Sequence, residues 1–213
     1  MKEKNAGMLW ATYRADPWTK KTLENGLNPE LAAKAGNALQ KYVIENTRLG
    51  IPLFLAEEAP HGHMAIGTTV FPTGIGMAAT WSPTLIEEVG NVIAKEIRSQ
   101  GAHISYGPVL DLSRDPRWSR VEETFGEDPV LSGRLGAAMI LGLGSGDLSC
   151  EYATIATLKH FLAYAVPEGG QNGNYASVGT RDLHENFLPP FREAIDAGAL
   201  SVMTSYNSID GVP

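Results

Sequence analysis

The sequence predicts an α/β fold built on a parallel sheet, and three observations carry that prediction. Segments with an apolar residue at every fourth position, several opened by a capping side chain before proline, alternate with short continuous apolar runs. The runs lack the apolar–polar alternation of a half-solvated strand, as expected of strands covered on both faces. Each run is followed directly by a cluster of charged, amide or histidine side chains, at the strand ends where α/β folds bind ligands.

The elements follow in order. Asn28-Pro29 opens the first helix, with Leu31, Ala35, Leu39 and Val43 as its apolar stripe. The side chain before proline accepts an orphan backbone N–H, and proline at the first helical position gives up a donor that had no partner. The run Pro52 to Leu55 is the first strand, followed by Glu57-Glu58-Ala59-Pro60-His61-Gly62-His63. Ser82-Pro83 opens the second helix, with Leu85, Val89, Ile93 and Ile97 in its stripe and Gly101 as a stop. His103 to Leu112 is the second strand, and Arg114-Asp115-Pro116-Arg117-Trp118-Ser119-Arg120 follows it.

Asp128-Pro129 opens the third helix, carrying Leu131, Leu135 and Met139 and ending in the glycine-rich stretch Gly142 to Gly146. That stretch follows a helix and lacks Gly-Lys-Ser/Thr, so it reads as a terminating loop, not a phosphate cradle. Ala153 to Phe161 is the third strand, containing Lys159-His160 and followed by Glu168 to Asn174. A fourth helical segment starts near Thr180 with Leu183, Phe187, Phe191 and Ile195, and Pro189-Pro190 must kink or split it. Leu200 to Tyr206 is the fourth strand, ending in Met203-Thr204-Ser205-Tyr206-Asn207.

Composition narrows the function. The net charge of −7 argues against a nucleic-acid binder, which needs clustered Lys and Arg. No apolar run is long enough to span a membrane. The opening Met1-Lys2-Glu3-Lys4-Asn5 leads into no apolar h-region, so no signal peptide is visible. The single cysteine, Cys150, reads as a small core residue. The 213 residues fit one domain, yet a complete eightfold β/α barrel usually takes about 250.

Four polar clusters at four strand ends can converge on one site. Glu57 and Glu58 are adjacent, so on a strand they point to opposite faces and are not expected to form a catalytic pair; either one reaches a ligand while the other pairs with a cation, or both are solvated acids at a surface strand end. His61-Gly62-His63 admits a metal reading, as a His-x-His after a first strand, but the remaining histidines (His103, His160 and a surface-like His184) supply no obvious further ligand. The charged stretch from Arg114 to Asp128 is suited equally to mutual ion pairing and to ligand binding by arginine. Lys159-His160 within an apolar strand carries the sharpest signal, because a buried lysine without a partner costs several kcal/mol. Facing a pocket, both side chains can hydrogen-bond a polyhydroxylated ligand.

The chain resembles the N-terminal catalytic domain of glycoside hydrolase family 3, the retaining β-glucosidases and β-xylosidases, from about Leu27 to Pro213. The segments that carry the resemblance are Glu57 to Gly62, Phe71-Pro72 with Ala79-Thr80-Trp81, and Pro108-Val109-Leu110-Asp111. Arg114 to Pro129, Lys159-His160-Phe161, Leu188-Pro189-Pro190-Phe191 and Ser201 to Asn207 complete the set. The ordered set is specific where any one motif is weak.

The resemblance implies a TIM-type (β/α)8 barrel, here incomplete with about six β/α units, residues 1–213 forming a barrel domain truncated at its C-terminal side. It implies that Glu58, Arg120, Lys159 and His160 bind hydroxyls of the terminal sugar, and that Met203 and Tyr206 line the pocket near the cleaved bond. It implies no cofactor and no metal, a small oligosaccharide or β-glycoside as substrate, and a periplasmic or secreted parent protein. Where many members carry Asp at the Glu58 position, the longer acid narrows the pocket and keeps xylose in play beside glucose; Ser119 replaces a glycine common in the family. Leu162-Ala163-Tyr164-Ala165 stands where the N-acetylglucosaminidase branch has Pro-Gly-His-Gly, which disfavours that branch. Retaining chemistry needs two carboxyl groups about 5 Å apart. By the resemblance, the nucleophilic Asp and the acid/base both lie past Pro213, so no catalytic residue is assigned within the chain and the fragment alone is expected to be inactive. The alternatives are a non-catalytic sugar-binding module and a metal-dependent hydrolase using His61 and His63.

Overall fold

The computed structural model describes residues 6–144 and 146–213. The Met1–Asn5 opening and Ser145 of the glycine-rich stretch lie outside the described residues. Five parallel strands form one sheet: β1 (Met8–Trp10), β2 (Phe54–Glu58), β3 (Ile104–Val109), β4 (Ile155–Phe161) and β5 (Ser201–Thr204). Their spatial order is their sequence order. This is the winding of a β/α barrel; a doubly wound sheet reverses direction at a switch point. The fold is thus α/β with a parallel sheet, consistent with part of a TIM-type barrel, and the described residues hold five strands against an expectation of about six units.

Three helix starts form as their caps require. Asn28 accepts from the Leu31 N–H at 2.9 Å and opens α1 (Pro29–Asn46). After α2 (Gly74–Ala78), Ser82 accepts from the Leu85 N–H at 3.3 Å and opens α3 (Pro83–Ser99). Asp128 Oδ1 accepts from both Val130 and Leu131 at 2.8 Å and opens α4 (Pro129–Gly144). Gly101, at φ +96°, turns the chain after α3. The fourth helical segment is split as its prolines demand: α5 (Thr180–Asp182) runs through a π turn (Leu183–Phe187) into α6 (Leu188–Asp196), which begins Leu188-Pro189-Pro190.

Several expectations need correction. The apolar stripes are out of phase at their starts. Leu31 and Leu85 are exposed, while Ala32 and Ile86 are fully buried. Four residues at about 100° each overshoot a full turn, so a buried face is held by mixed steps of three and four. The first strand starts at Phe54 rather than Pro52 and runs on through Glu57 and Glu58, because β1 pairs with Phe54 to Ala56 and β3 with Ala56 to Glu58. β1 and α2 are too short to register as periodic segments. Full coverage of both faces holds best for β3 and β4; β5, an edge strand, alternates between half-buried and exposed residues. Cys150 is exposed, in the turn between α4 and β4, and is not a core residue.

The core lies between the sheet and the helices, with α4 packed on both α3 and α6. The α3–α4 contact depends on glycine. A Cβ on Gly142 would stand 2.2 Å from the Glu87 carbonyl oxygen, and one on Gly90 would stand 2.8 Å from that of Met139. Only paired glycines let the two backbones approach this closely, and the close fit seats the helical layer against the strands that carry the site.

Candidate functional site

The strand ends converge as their polar clusters suggest. Glu58, the last residue of β2, meets Lys159 of β4 across β3: Nζ donates to Oε2 at 2.6 Å. Lys159 is 2% exposed, so this carboxylate is what makes its burial tolerable. Tyr106 of β3, in register with Glu58, has its phenol pushed up by burial and by the Glu58 charge.

His160 follows Lys159 directly, and both are buried with polar partners. The β4–β5 register breaks between Leu158 and Phe161, so simple strand alternation does not separate the two side chains. The Lys159–His160 and Phe161–Leu162 peptides are cis. His160 Nδ1 lies 2.7 Å from Asp111 Oδ2, and the same oxygen accepts the His160 backbone N–H at 3.2 Å. Arg120 Nη2 lies 3.1 Å from His160 Nε2.

Arg120 is itself held by Glu123, Nε to Oε1 at 2.6 Å and Nη2 to Oε2 at 2.8 Å, the bidentate fork that arginine makes with carboxylates. Burial works against the guanidinium charge, but the Glu123 hydrogen bonds and charge outweigh it, and Arg120 is held above its ordinary value. Burial likewise raises Glu123, while Arg120 and then Lys159 pull it down, for a net lowering. Arg120 Nη1 donates to Tyr164 at 3.4 Å, and the Tyr164 hydroxyl donates to Asn172 Oδ1 at 2.6 Å. Trp118 Nε1 donates to the same Asn172 oxygen at 2.9 Å. The Tyr164 ring packs edge-on against His160 and Trp118.

Of the six residues singled out in the sequence, four form two linked pairs, Glu58 with Lys159 and Arg120 with His160. Tyr206 lies at the surface beside them, 74% exposed, its ring 6.4 Å from His160 and 5.6 Å from Tyr164. Met203 is half-buried on β5, between Val202, which pairs with Leu158, and Thr204, which pairs with Phe161. The other arginines of the charged stretch turn elsewhere: Arg114 pairs with Asp182, and Arg117 with Asp115.

Asp111, Glu123, Tyr164 and Asn172 were missed as site residues. Asp111 had a signal, a lone acid inside an apolar run, the same sign that singled out Lys159. The two adjacent glutamates do face apart. Glu58 is the one that takes the cation, and Glu57 accepts the Tyr13 backbone N–H at 3.0 Å in a buried setting. Burial, against the N–H groups of Tyr13 and Thr12, pushes the Glu57 carboxyl up to about 7. His61 Nδ1 lies 3.1 Å from the Phe71 carbonyl oxygen, and His63 is buried with its ring edge-on to Tyr13. Among the described residues, no group of three or more His, Cys, Asp or Glu side chains is arranged to hold a metal ion.

The site thus offers two cationic donors, Lys159 and Arg120, beside anionic and histidine acceptors, with aromatic rings at one wall. Comparison with known proteins identifies the family of the chain as a whole. The sequence model of the glycosyl hydrolase family 3 N-terminal domain matches residues 20–213. A periplasmic β-glucosidase of Salmonella typhimurium is 35% identical over 175 residues, covering 82% of this chain and 22% of its own length. A β-xylosidase of Formosa agariphila is 42% identical over 177 residues, covering 79% of this chain and 24% of its own length. A mutant β-glucosidase of Listeria innocua, solved in complex with laminaribiose, superposes with a TM-score of 0.84 at 34% identity, covering 98% of this chain and 26% of that one. The chain therefore spans about a quarter of the length of the proteins it matches. By this match over most of its length the chain belongs to glycosyl hydrolase family 3, as its N-terminal domain.

Proposed function

We propose that this chain supplies the sugar-binding face of an exo-acting retaining β-glycosidase that removes terminal β-D-glucosyl or β-D-xylosyl residues. The observation that carries the reading is the convergence of Glu58, Lys159, Arg120 and His160 at the carboxyl ends of neighbouring strands. Donors and acceptors interleaved at hydrogen-bonding distance match vicinal hydroxyls, each of which both donates and accepts. Holding several hydroxyls at once positions the anomeric carbon for attack. Met203 and Tyr206 line the side of the pocket toward the cleaved bond.

Residues 1–213 are one barrel domain of an eightfold β/α design in this reading. The nucleophilic Asp and the acid/base, which must stand about 5 Å apart, come from sequence outside these residues; the roughly fourfold greater length of the relatives supports this. The substrate is a small oligosaccharide or β-glycoside, and a complex of a relative with laminaribiose supports that class. A periplasmic relative supports a periplasmic or secreted parent protein, and no helix among the described residues is long and apolar enough to cross a membrane.

The test has three arms. Calorimetric titration of the chain with glucose and xylose should give saturable heat at millimolar sugar; none would remove the sugar-site reading. The parent protein should release glucose or xylose from aryl β-glycosides with retained anomeric configuration, and inversion would overturn the mechanism. Turnover by residues 1–213 alone would contradict the origin assigned to the catalytic carboxylates.

A further inference from the structure

Asp111 has no role in the function proposed above, yet it sits at the centre of the site. Its side chain is 1% exposed, and its Oδ2 accepts twice from His160, from Nδ1 at 2.7 Å and from the backbone N–H at 3.2 Å. Its other oxygen, Oδ1, is buried without a hydrogen-bond partner among the described residues. A buried carboxylate satisfied on one oxygen only is a poor stabilising device, so its value lies in what it does to His160.

The hydrogen-bond inventory determines what that is. A carboxylate only accepts, so His160 Nδ1 must carry a proton to meet Asp111. An arginine only donates, so Nε2, 3.1 Å from Arg120 Nη2, must be the bare acceptor nitrogen. Glu123 holds the guanidinium in that orientation through its Nε and Nη2. Both ring nitrogens are thereby assigned by partners of fixed polarity, and the imidazole carries one proton, on Nδ1.

We propose that Asp111 is a positioning residue that sets His160 as a hydrogen-bond acceptor at Nε2. The inference rests on the sugar-site reading for its use: Lys159 and Arg120 offer donors, Glu58 and His160 Nε2 offer acceptors, and a ligand hydroxyl near His160 donates a hydrogen bond to Nε2. In the structure Arg120 Nη2 faces that acceptor at 3.1 Å. Orientation of an imidazole by a buried carboxylate on its far nitrogen is a general way to set a tautomer.

Long-range ¹H–¹⁵N NMR on the histidine-labelled chain at pH 7 reads the tautomer directly. The wild-type chain should show His160 protonated at Nδ1 with Nε2 bare. In Asp111→Asn, whose amide can donate as well as accept, the Nε2–H form should rise at least about tenfold. In Arg120→Met, which removes the Nε2 donor and leaves Asp111 in place, the Nδ1–H form should persist. A wild-type proton on Nε2, protons on both nitrogens, or a tautomer unmoved by Asp111→Asn would overturn the proposal. If Asp111→Asn does not fold, the wild-type and Arg120→Met spectra decide it. A wild-type chain that binds neither glucose nor xylose sinks the sugar-site reading, while the tautomer still judges this one.

Discussion

Lys159 Nζ lies 2.6 Å from Glu58 Oε2 across the intervening strand β3, with the lysine side chain 2% exposed. The two residues are 101 positions apart in sequence, and each is the other's reason for being tolerated at its depth. Removing Glu58 alone leaves a buried ammonium without its counter-charge. We expect Glu58→Ala to cost about 3–5 kcal/mol of stability, and Glu58→Gln with Lys159→Met together to cost clearly less. Urea denaturation of the three proteins measures this; equal losses in the single and double variants would mean the pair is not coupled.

Glu58 also sets pocket depth in the sugar-site reading. Glu58→Asp withdraws the carboxylate by one methylene, making room for the hydroxymethyl group that glucose has and xylose lacks. One methylene in a pocket shifts discrimination by about tenfold. The ratio of glucose to xylose affinity should therefore rise by about that factor. Titration of both variants with both sugars checks it, and a ratio that is unchanged or falls would remove Glu58 from the specificity role.

Two buried groups away from the sugar site make opposed contributions to pH-dependent stability. Glu57 titrates near 7 in the fold against an ordinary 4.5, so the folded state binds the extra proton between these values. Stability from this group is full below about 4.5 and is lost as pH rises through about 7. His63, lowered by burial to about 4 from 6.5, does the reverse: its contribution is full above about 6.5 and is lost as pH falls through about 4. Each is worth on the order of 3 kcal/mol, so between about 4.5 and 6.5 they offset each other in the wild type. Glu57→Gln should leave stability rising with pH across that window, and His63→Gln should leave it falling. Thermal melts from pH 4 to 8 distinguish the slopes; parallel profiles for both variants would refute the assignment.

The glycine contact between α3 and α4 makes a packing prediction. Gly142→Ala would put a methyl 2.2 Å from the Glu87 carbonyl oxygen, forcing the helices apart at a cost of about 1–3 kcal/mol. Gly144→Ala, whose Cβ would meet only Leu148, at 4.0 Å, among the described residues, should be neutral or slightly stabilising, since alanine favours helix. Denaturation midpoints of the two variants separate backbone approach from helix propensity.

The sequence by itself determined the class of fold, the helix starts and the positions of the polar clusters. Caps, proline breaks and continuous apolar runs are local physics, and Asn28, Ser82, Asp128 and the Pro189-Pro190 split behave as their chemistry requires. It also marked Lys159 and His160, because a charge inside an apolar strand demands a partner. What it could not name was the partner. That Lys159 meets Glu58 and not Glu57, that His160 is held between Asp111 and Arg120, and that Glu123 serves Arg120 depend on strand order, register and the break in pairing after Leu158. Those are long-range relations, set when the sheet closes over its helices. Asp111 and Glu123, whose chemistry stood out in the sequence without a partner, act through a neighbour's hydrogen bonds, and only the tertiary structure shows which neighbour.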